Sequence, residues 1–346
     1  MNQQQSLAGY FAGWARGRSA RLAVASVVGA LADASLGIAD VLSQGALAGQ
    51  LGRSTGKRGD VDDQKEIDVL ANDRIVTALR SAPVAAVASE EMEDPLLLDA
   101  KAPLLVAIDP LDGSSNADAN ASIGTIFTVL PALEHNEEPS AFLQPGVNQL
   151  AGGFFLYGPQ IVLVVSVGAG TQIFTLDRNQ QKFLLTHAKV EIPPRTSEYA
   201  INTSNARHWD DPIQTYVDDC KRGKDGPRGR DFNMRWTGTP VADIYRILSR
   251  GGIYLYPGDK RRDFRNGRLR LIYEANPIAW IVEQAGGAAT TGRERVLEIA
   301  PKSLHQRVPL IAGSRMEVEH AARLHDGSQM RGERSPLFSR RGLLRF

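Results

Sequence analysis

The stretch AIDPLDGSSN, residues 107–116, decides how this chain folds and where its chemistry lies. It continues an apolar run that begins at Leu104, and a short apolar run bounded by turn residues predicts a buried strand. Two carboxylates, a glycine, two serines and an amide then follow within a few positions. Because strand ends in α/β sheets present reactive groups, we expect the strand to end at Asp109 and the polar groups to surround one cavity.

The two aspartates of this stretch flank a Pro-Leu pair, which makes them candidate metal ligands. Asp109 leaves the predicted strand, Leu111 offers a carbonyl oxygen, and Asp112 returns toward the same point. Residues 113–116 can then begin a helix, whose free N–H groups form a site for phosphate. Two carboxylates would repel that phosphate unless cations lay between them, and Mg²⁺ takes carboxylate, carbonyl and phosphate oxygens as ligands. An Asx-turn with a helix cap is the alternative, but one aspartate would satisfy it.

Four further acids occupy positions from which they can reach the same cavity. Glu90 and Glu91 close a predicted strand, Glu274 ends the predicted strand Leu269–Tyr273, and Asp68 lies on a predicted helix. Clustered carboxylates raise one another's pKa and need neutralisation. Two or three metal ions would supply it.

The remaining sequence alternates between helix-like and strand-like segments, which predicts an α/β fold. The 346 residues are enough for two domains of ordinary size. Pro193-Pro194 is the best candidate boundary, so we expect an N-terminal domain at 1–192 and a C-terminal domain at 193–330. Residues 331–346 form a basic tail.

Composition excludes several classes of partner. The chain is 42% hydrophobic and 23% charged, with a net charge of +1, so no global field favours nucleic acid or a membrane surface. Cys220 is the single cysteine, which excludes an internal disulfide and a multi-cysteine zinc site and suits a reducing compartment. No uninterrupted apolar run approaches the roughly 18 residues of a membrane span. We expect a cytoplasmic protein without a nucleic-acid or membrane partner.

The N-terminus allows two interpretations. Residues 1–32 carry three arginines and no acid, a profile similar to an organelle transit peptide. Apolar residues there, and on to Leu42, also recur at helical spacing. This second pattern favours ordinary amphipathic helices of the mature protein.

The segment Asp-Pro-Leu-Asp-Gly-Ser-Ser-Asn at 109–116 resembles the signature of class I fructose-1,6-bisphosphatases. Inositol monophosphatase relatives usually have threonine after the glycine. The resemblance extends over roughly residues 45–315. The other segments that carry it are 64–72, 122–127, 241–243, 251–257, 267–277 and 283–287.

This resemblance implies a layered sugar-phosphatase fold, with alternating helix and sheet layers in two α/β domains. It also implies hydrolysis of D-fructose 1,6-bisphosphate to fructose 6-phosphate and phosphate, a reaction of gluconeogenesis and the Calvin cycle. The expected cofactor is Mg²⁺, two or three ions per subunit, with Mn²⁺ or Zn²⁺ as alternatives. The expected assembly is a homotetramer. The N-terminal domain would bind metal and the 1-phosphate, and the C-terminal domain the sugar and the 6-phosphate.

The resemblance also implies a set of site residues. The metal ligands would be Glu90, Glu91, Asp109, the Leu111 carbonyl, Asp112 and Glu274. The substrate contacts would be Asp112, Gly113, Ser114 and Ser115 near the 1-phosphate, and Asn202, Arg235, Tyr256 and Arg268 near the sugar and 6-phosphate. The family arginine that matches Arg235 reaches in from a neighbouring subunit. We assign Asp68 and Glu91 the catalytic role of positioning or deprotonating the attacking water.

The sequence departs from the family pattern where the distal phosphate would bind. Arg268 replaces a lysine, and Trp236 replaces a tyrosine whose hydroxyl could contact phosphate. A pocket altered in this way could accept sedoheptulose 1,7-bisphosphate, so a sedoheptulose bisphosphatase or a dual-specificity enzyme is the nearest alternative. An inositol-type phosphatase is a second one, but it should lack the Arg235 and Arg268 pair. A non-catalytic protein should have lost a metal acid, and none is missing.

Two regulatory features are predicted as well. Residues 45–66 are glycine-rich and polar, which is typical of a mobile lid, and they lead directly to Asp68. The AMP-inhibited relatives use a Thr-Gly-Glu-Leu-Thr-like turn and a Lys-Tyr pair. This chain has no such turn in residues 1–45, and Pro103-Leu104 stands where the pair would fall. We therefore expect weak or absent AMP inhibition.

Overall fold

The computed structural model of this chain describes residues 4–48, 54–58, 63–133 and 138–327. The basic tail at 331–346 lies outside the described residues, as do parts of the predicted lid. Within that lid, strands β1 (Ser54–Arg58) and β2 (Asp63–Lys65) pair as an antiparallel hairpin. The mobility expected of the lid stays a prediction.

Seven α-helices lie in the described part of the chain, and the predicted N-terminal helices and the predicted helix that carries Asp68 are among them. They are α1 (Leu7–Ala15), α2 (Ser19–Gln44), α3 (Glu66–Leu79), α4 (Asp211–Arg222), α5 (Pro240–Arg250), α6 (Asn276–Gln284) and α7 (Arg315–His325). Proline at the first turn starts α4, α5 and α6, where the missing N–H costs nothing.

The first sheet has eight strands, in the order β10-β9-β8-β7-β6-β5-β3-β4. The strands are β3 (Val84–Ser89), β4 (Leu96–Leu97), β5 (Leu104–Asp112), β6 (Ile123–Pro131), β7 (Ala151–Tyr157), β8 (Ile161–Ser166), β9 (Thr171–Asp177) and β10 (Lys182–Val190). Only β3 and β5 are parallel neighbours; the other pairs are antiparallel. The carboxyl ends of β3 and β5 therefore lie side by side.

The second sheet has five strands, in the order β12-β11-β13-β17-β15. The strands of the C-terminal half are β11 (Glu198–Ala200), β12 (Asn233–Met234), β13 (Ile253–Tyr256), β14 (Leu269–Arg270), β15 (Ala288–Thr290), β16 (Arg307–Val308) and β17 (Leu310–Gly313). Strands β14 and β16 form a separate antiparallel ladder.

Helices and sheets alternate as layers because both faces of the first sheet are apolar. Phe127, Phe155 and Leu163 point into the core shared with α1, α2 and α3. Phe154 and Val164 point the other way, toward α5 and α6, which lie between the two sheets. Helices α4 and α7 cover the far face of the second sheet. The order helix, sheet, helix, sheet, helix confirms the predicted α/β layered fold.

Helix α2 is long and apolar enough to cross a membrane by length and composition alone, with a mean hydropathy of 1.9 in its most apolar window. Half of that window is buried inside the protein, where Val27, Val28, Leu31 and Ile38 are almost fully covered. A core helix passes the same test, so the composition of α2 is weak evidence for a membrane span.

The prediction of a strand over Leu269–Tyr273 is wrong in its second half. The strand ends at Arg270, and Leu271–Ala275 form a π-helical turn that runs directly into α6. Every residue of the turn is buried, so its apolar composition mimics a buried strand.

Candidate active site

A β-bulge brings Asp109 and Asp112 to the same place. The strand does not end at Asp109, as the sequence predicted, but continues to Asp112. Asp109 lies opposite Ile126 and Asp112 opposite Gly124, so three steps on β5 match two on β6. Side chains three apart on a regular strand would point to opposite faces, and the extra residue corrects this.

The bulge is held by local hydrogen bonds. Thr125 Oγ1 donates to the Pro110 carbonyl at 2.8 Å, and the Leu111 N–H donates to Asp109 Oδ1 at 3.0 Å. Pro110 has no N–H to leave unpaired, which suits a bulge. Leu111, whose carbonyl the family resemblance makes a metal ligand, thus lies between the two acids and is itself buried.

Glu274 joins the two aspartates from the other half of the chain. The π-helical turn folds its carboxylate back so that Oε2 accepts the Arg270 N–H at 2.6 Å. One carboxylate oxygen each of Asp109, Asp112 and Glu274 lies within 4.8 Å of the others, and all three residues are buried. Single π-helical turns occur often at functional sites.

The charged form of these buried acids is unfavourable unless a cation lies beside them. Burial is the largest cause that raises the pKa of Asp112; together with the charge of Glu90, and against the lowering effect of the Val241 N–H, it brings that pKa to about 7. Burial, followed by the charge of Glu90, also raises the pKa of Asp109 and of Glu274 well above the ordinary range. Three buried oxygen donors that resist ionisation together fit a hard divalent metal ion.

Glu90 and Glu91 lie in the turn after β3, as predicted. The Glu90 N–H donates to the Ile108 carbonyl of the parallel neighbour at 3.0 Å, which brings the turn beside Asp109. The Glu90 carboxylate accepts a hydrogen bond from Arg270 Nε at 2.8 Å. Glu90 therefore lies beside the three buried acids, but its carboxylate is paired with the Arg270 guanidinium. The Glu91 N–H donates to Ser89 Oγ at 3.2 Å.

Asp68 lies at the start of α3 and is buried. Its Oδ2 accepts the Lys65 N–H at 2.9 Å, and Lys65 Nζ donates to the Ser114 carbonyl at 3.1 Å. Burial raises the pKa of Asp68, while hydrogen bonds from Lys65 and Ser114 lower it. The structure thus places Asp68 next to the turn after Asp112.

That turn is shorter than predicted: Ser114–Asn116 form one 3₁₀ turn and not the start of an α-helix. Gly113 has φ +79°, and a Cβ there would lie 2.6 Å from Thr239 Cγ2. Asn116 Nδ2 donates to Thr239 Oγ1 at 2.9 Å. Glycine is therefore required both by conformation and by the close approach of Thr239 from the C-terminal half of the chain. Ser115 is exposed, whereas Ser114 is half-buried and its side chain is hydrogen-bonded to Asp68.

The four residues predicted for the distal phosphate lie on the C-terminal half. Asn202 caps the 3₁₀ helix Thr203–His208 and accepts the Ser204 N–H at 3.1 Å. The Arg235 side chain is 52% exposed, with Nε 3.9 Å from Glu198 Oε1.

The other two residues are tied to aromatic rings. The Arg268 guanidinium lies 3.8 Å from the centre of the Phe264 ring. Tyr256 has its ring centre 5.9 Å from that of Trp236, which stacks on Tyr254. The rings bring the segment that carries Arg235 against the strand that carries Tyr256.

Sequence reasoning missed residues that orient the acids. The Val241 N–H, at the start of α5, donates to Asp112 Oδ2 at 2.9 Å. Asp243, two residues later, accepts the Thr237 N–H at 3.1 Å, and burial raises its pKa to about 6. Arg270 likewise orients Glu274 and Glu90, and Thr239 holds Asn116 of the neighbouring turn. The segments 241–243 and 269–271 carry the family resemblance, but their sequence does not indicate which acids they contact.

Three buried acids converge beside a glycine-serine turn, and helix and sheet layers alternate around them. Together these features define a metal-dependent phosphatase. Two family models match the chain: fructose-1-6-bisphosphatase, N-terminal domain, over residues 15–188, and fructose-1-6-bisphosphatase, C-terminal domain, over residues 192–326. The chain belongs to the fructose-1,6-bisphosphatase family.

Similar proteins agree with the family models. The class 1 fructose-1,6-bisphosphatase of Sinorhizobium medicae is 55% identical over 325 residues, which cover 93% of each chain. That of Azorhizobium caulinodans is 55% identical over 313 residues, 89% of this chain and 95% of the relative. The crystal structure of Leishmania major fructose-1,6-bisphosphatase in holo form superposes with a TM-score of 0.86 at 33% identity, covering 94% of this chain and 99% of that one.

Proposed function

We propose that this protein hydrolyses the 1-phosphate of D-fructose 1,6-bisphosphate and releases fructose 6-phosphate and phosphate. The observation that carries the proposal is the convergence of Asp109, Asp112 and Glu274 beside the turn 113–116, in a chain of the fructose-1,6-bisphosphatase family.

The cofactor we propose is Mg²⁺, two or three ions per subunit, with Mn²⁺ or Zn²⁺ able to replace it. The residues that would hold it are Glu90, Glu91, Asp109, the Leu111 carbonyl, Asp112 and Glu274. When bound, such ions withdraw charge from the phosphoryl oxygens and make a nearby water more acidic. The raised pKa values of the buried acids support this choice, because a cation restores their charged form.

The chain's own groups would orient the reactants. Asp68 and Glu91 are the proposed groups that hold the attacking water and accept its proton on a carboxylate oxygen. Gly113, Ser114 and Ser115 would bind the phosphoryl oxygens through N–H and hydroxyl groups, in a geometry fixed before substrate arrives. Asp68 is suited to its role because it lies beside Ser114.

The distal phosphate and sugar would be bound by Asn202, Tyr256 and Arg268 of one subunit. We assign Arg235 to the site of a neighbouring subunit in a homotetramer, which its exposure supports. Their binding energy would align the 1-phosphate with the acids. We further propose that residues 1–192 and 193–330 act as the metal and 1-phosphate domain and the sugar and 6-phosphate domain, respectively, and that the protein works in the cytoplasm.

A sedoheptulose-1,7-bisphosphatase activity is the second candidate. Trp236 has no phenol hydroxyl and is packed flat on Tyr254 at 5.8 Å, so it would present the distal phosphate with an indole ring in place of a phenol. An inositol-type activity is less well supported, because Arg235 and Arg268 both lie on the half that would bind a second phosphate.

The test is phosphate release from fructose 1,6-bisphosphate, sedoheptulose 1,7-bisphosphate and inositol monophosphate, each with Mg²⁺ and with EDTA. We expect the highest kcat/KM with fructose 1,6-bisphosphate and none with EDTA. Preference for inositol monophosphate, or equal rates with EDTA, would refute the proposal.

A further inference from the structure

We propose that the C-terminal half carries a second anion site, separate from the active site, that binds a small polyanionic metabolite. The site is a groove of about 610 Å³ between the loop at 257–266 and the segments at 291–294 and 299–309. We call it the basic groove. Its cations are Lys260, Arg265, Arg293, Lys302 and Arg307. None of the residues proposed to bind substrate lines it.

The cations of the basic groove outnumber its acids and are not neutralised by them. Three acids also line it, namely Asp210, Asp259 and Glu294. Asp259 is engaged by Arg261, and Asp210 caps α4 and lies 3.7 Å from His325 Nε2. Within the described residues, none of the five cations forms an ion pair with a carboxylate.

The shape of the basic groove selects the class of ligand. Its volume suits a small metabolite, and its cations come from three separate chain segments. A ligand with two or more phosphate or carboxylate groups would therefore bridge the walls. Three of the five cations are arginines, whose planar forks bind such groups with paired hydrogen bonds. No Phe, Tyr or Trp of the described chain lines the groove, as stacking of nucleic-acid bases would require.

The walls of the basic groove are bonded to segments that carry substrate residues. Arg307 and Val308 pair with Arg270 and Leu269 in the β14–β16 ladder, directly after Arg268. On the other wall, the Lys260 N–H donates to the His208 carbonyl at 2.9 Å, in the 3₁₀ helix that Asn202 caps.

A ligand that draws these walls together would shift Arg268 and Asn202, and so change the KM for substrate. This kinetic effect rests on the proposed function, whereas binding in the groove does not.

Binding is tested by calorimetric titration of pyrophosphate and of citrate into the full chain in EDTA. The two probes distinguish phosphate from carboxylate ligands. We expect at least one to bind, and Arg293→Gln/Lys302→Gln to weaken it about tenfold or more, since each lost charge-assisted hydrogen bond has about that effect.

Two controls locate the binding. Arg268→Gln at the active site and the exposed pair Lys101→Gln/Arg250→Gln should leave the affinity unchanged. The proposal is overturned if neither probe binds, if Arg293→Gln/Lys302→Gln binds as tightly as the parent, or if Arg268→Gln alone abolishes binding.

The kinetic effect is tested by measuring KM for fructose 1,6-bisphosphate with and without the probe that binds, at fixed free Mg²⁺. We expect the probe to change KM in the parent and not in Arg293→Gln/Lys302→Gln, whose own kcat and KM should match the parent. An equal response in both proteins would place the probe at the active site and refute the coupling. Absence of hydrolysis would refute the proposed function and leave the calorimetric result standing.

Discussion

The N–H of Val241 donates a hydrogen bond to Oδ2 of Asp112 over 2.9 Å, across 129 positions of sequence. Val241 lies in the first turn of α5, where N–H groups have no partner inside the helix. A carboxylate there is stabilised by the positive end of the helix dipole. The second half of the chain thus orients a metal acid supplied by the first half.

Replacing Asp112 should separate catalysis from folding. Asp112→Asn keeps the shape of the side chain but removes a charge from the three converging acids, so we expect kcat to fall about 100-fold or more. Steady-state assays at saturating Mg²⁺ measure this, with circular dichroism as the check on folding. The exposed Asp94→Asn is the matched control and should behave as the parent. A near-parental kcat in Asp112→Asn would contradict the assignment.

Replacing Glu91 should affect the chemical step more than binding. Glu91→Gln cannot accept a proton from water, and we expect kcat to fall roughly 100-fold or more with a much smaller rise in KM. The exposed Glu93→Gln, two residues away, serves as the control. A change confined to KM would make Glu91 a binding residue.

The stability of the metal-stripped protein should fall as pH rises. The folded-state pKa of Asp112 is about 7, above its ordinary value of 3.8, so the folded protein holds a proton that the unfolded chain releases. The stability this contributes is fully present below about pH 4 and is lost as pH rises through about 7. Asp109 and Glu274 shift in the same direction.

Thermal unfolding at pH 5 and pH 8, with EDTA or with Mg²⁺, measures this dependence. We expect a lower Tm at pH 8 in EDTA, and a larger gain in Tm from Mg²⁺ at pH 8 than at pH 5. Asp112→Asn should lose part of the pH dependence. An equal gain from Mg²⁺ at both pH values would contradict the electrostatic argument.

Adding a methyl group at Gly113 should damage both stability and activity. Gly113→Ala forces a non-glycine residue to φ +79° and drives its Cβ against Thr239. The conformation alone costs about 1–2 kcal/mol, and the turn that would bind phosphate must move. Denaturant unfolding and kcat measure the two effects.

The second variant Gly113→Ala/Thr239→Ala separates the two causes. It removes the Cγ2 and Oγ1 atoms that the new methyl group would meet, so it should recover part of the stability. If Gly113→Ala alone has the same denaturant midpoint as the parent, neither the backbone conformation nor the close approach to Thr239 contributes to the free energy of unfolding.

AMP should inhibit weakly or not at all. A cavity of about 620 Å³ beside α1 and α2 is lined mainly by apolar and small side chains. Among the described residues that line it, Asp33 is an acid and Lys182 is the only cation. A nucleotide phosphate needs several N–H or cationic donors. Titration of AMP at sub-saturating fructose 1,6-bisphosphate measures this, and cooperative inhibition at low AMP would show that the N-terminus was misinterpreted.

The α/β class, most helices and the identity of the acids could be predicted from the amino-acid sequence. Apolar periodicity and strand-ending polar residues are local properties, so the Glu90-Glu91 turn could be placed at a strand end without coordinates. Asp109 and Asp112 were placed near one, although the strand continues three residues past its predicted end at Asp109. The same local patterns did not reveal β9 and β10. They also did not distinguish a buried π-helical turn from a strand, because both are buried throughout and begin with a run of apolar residues.

The way in which those residues meet depends on tertiary contacts. The bulge in β5 depends on its register with β6, which a single strand does not encode, and it alone turns Asp109 and Asp112 to one side. Glu274 and Val241 reach Asp112 because α5 and α6 pack between the two sheets, where burial of apolar surface fixes their place. The chemical groups are a property of the chain, whereas their distances and raised pKa values arise from contacts between residues far apart in sequence.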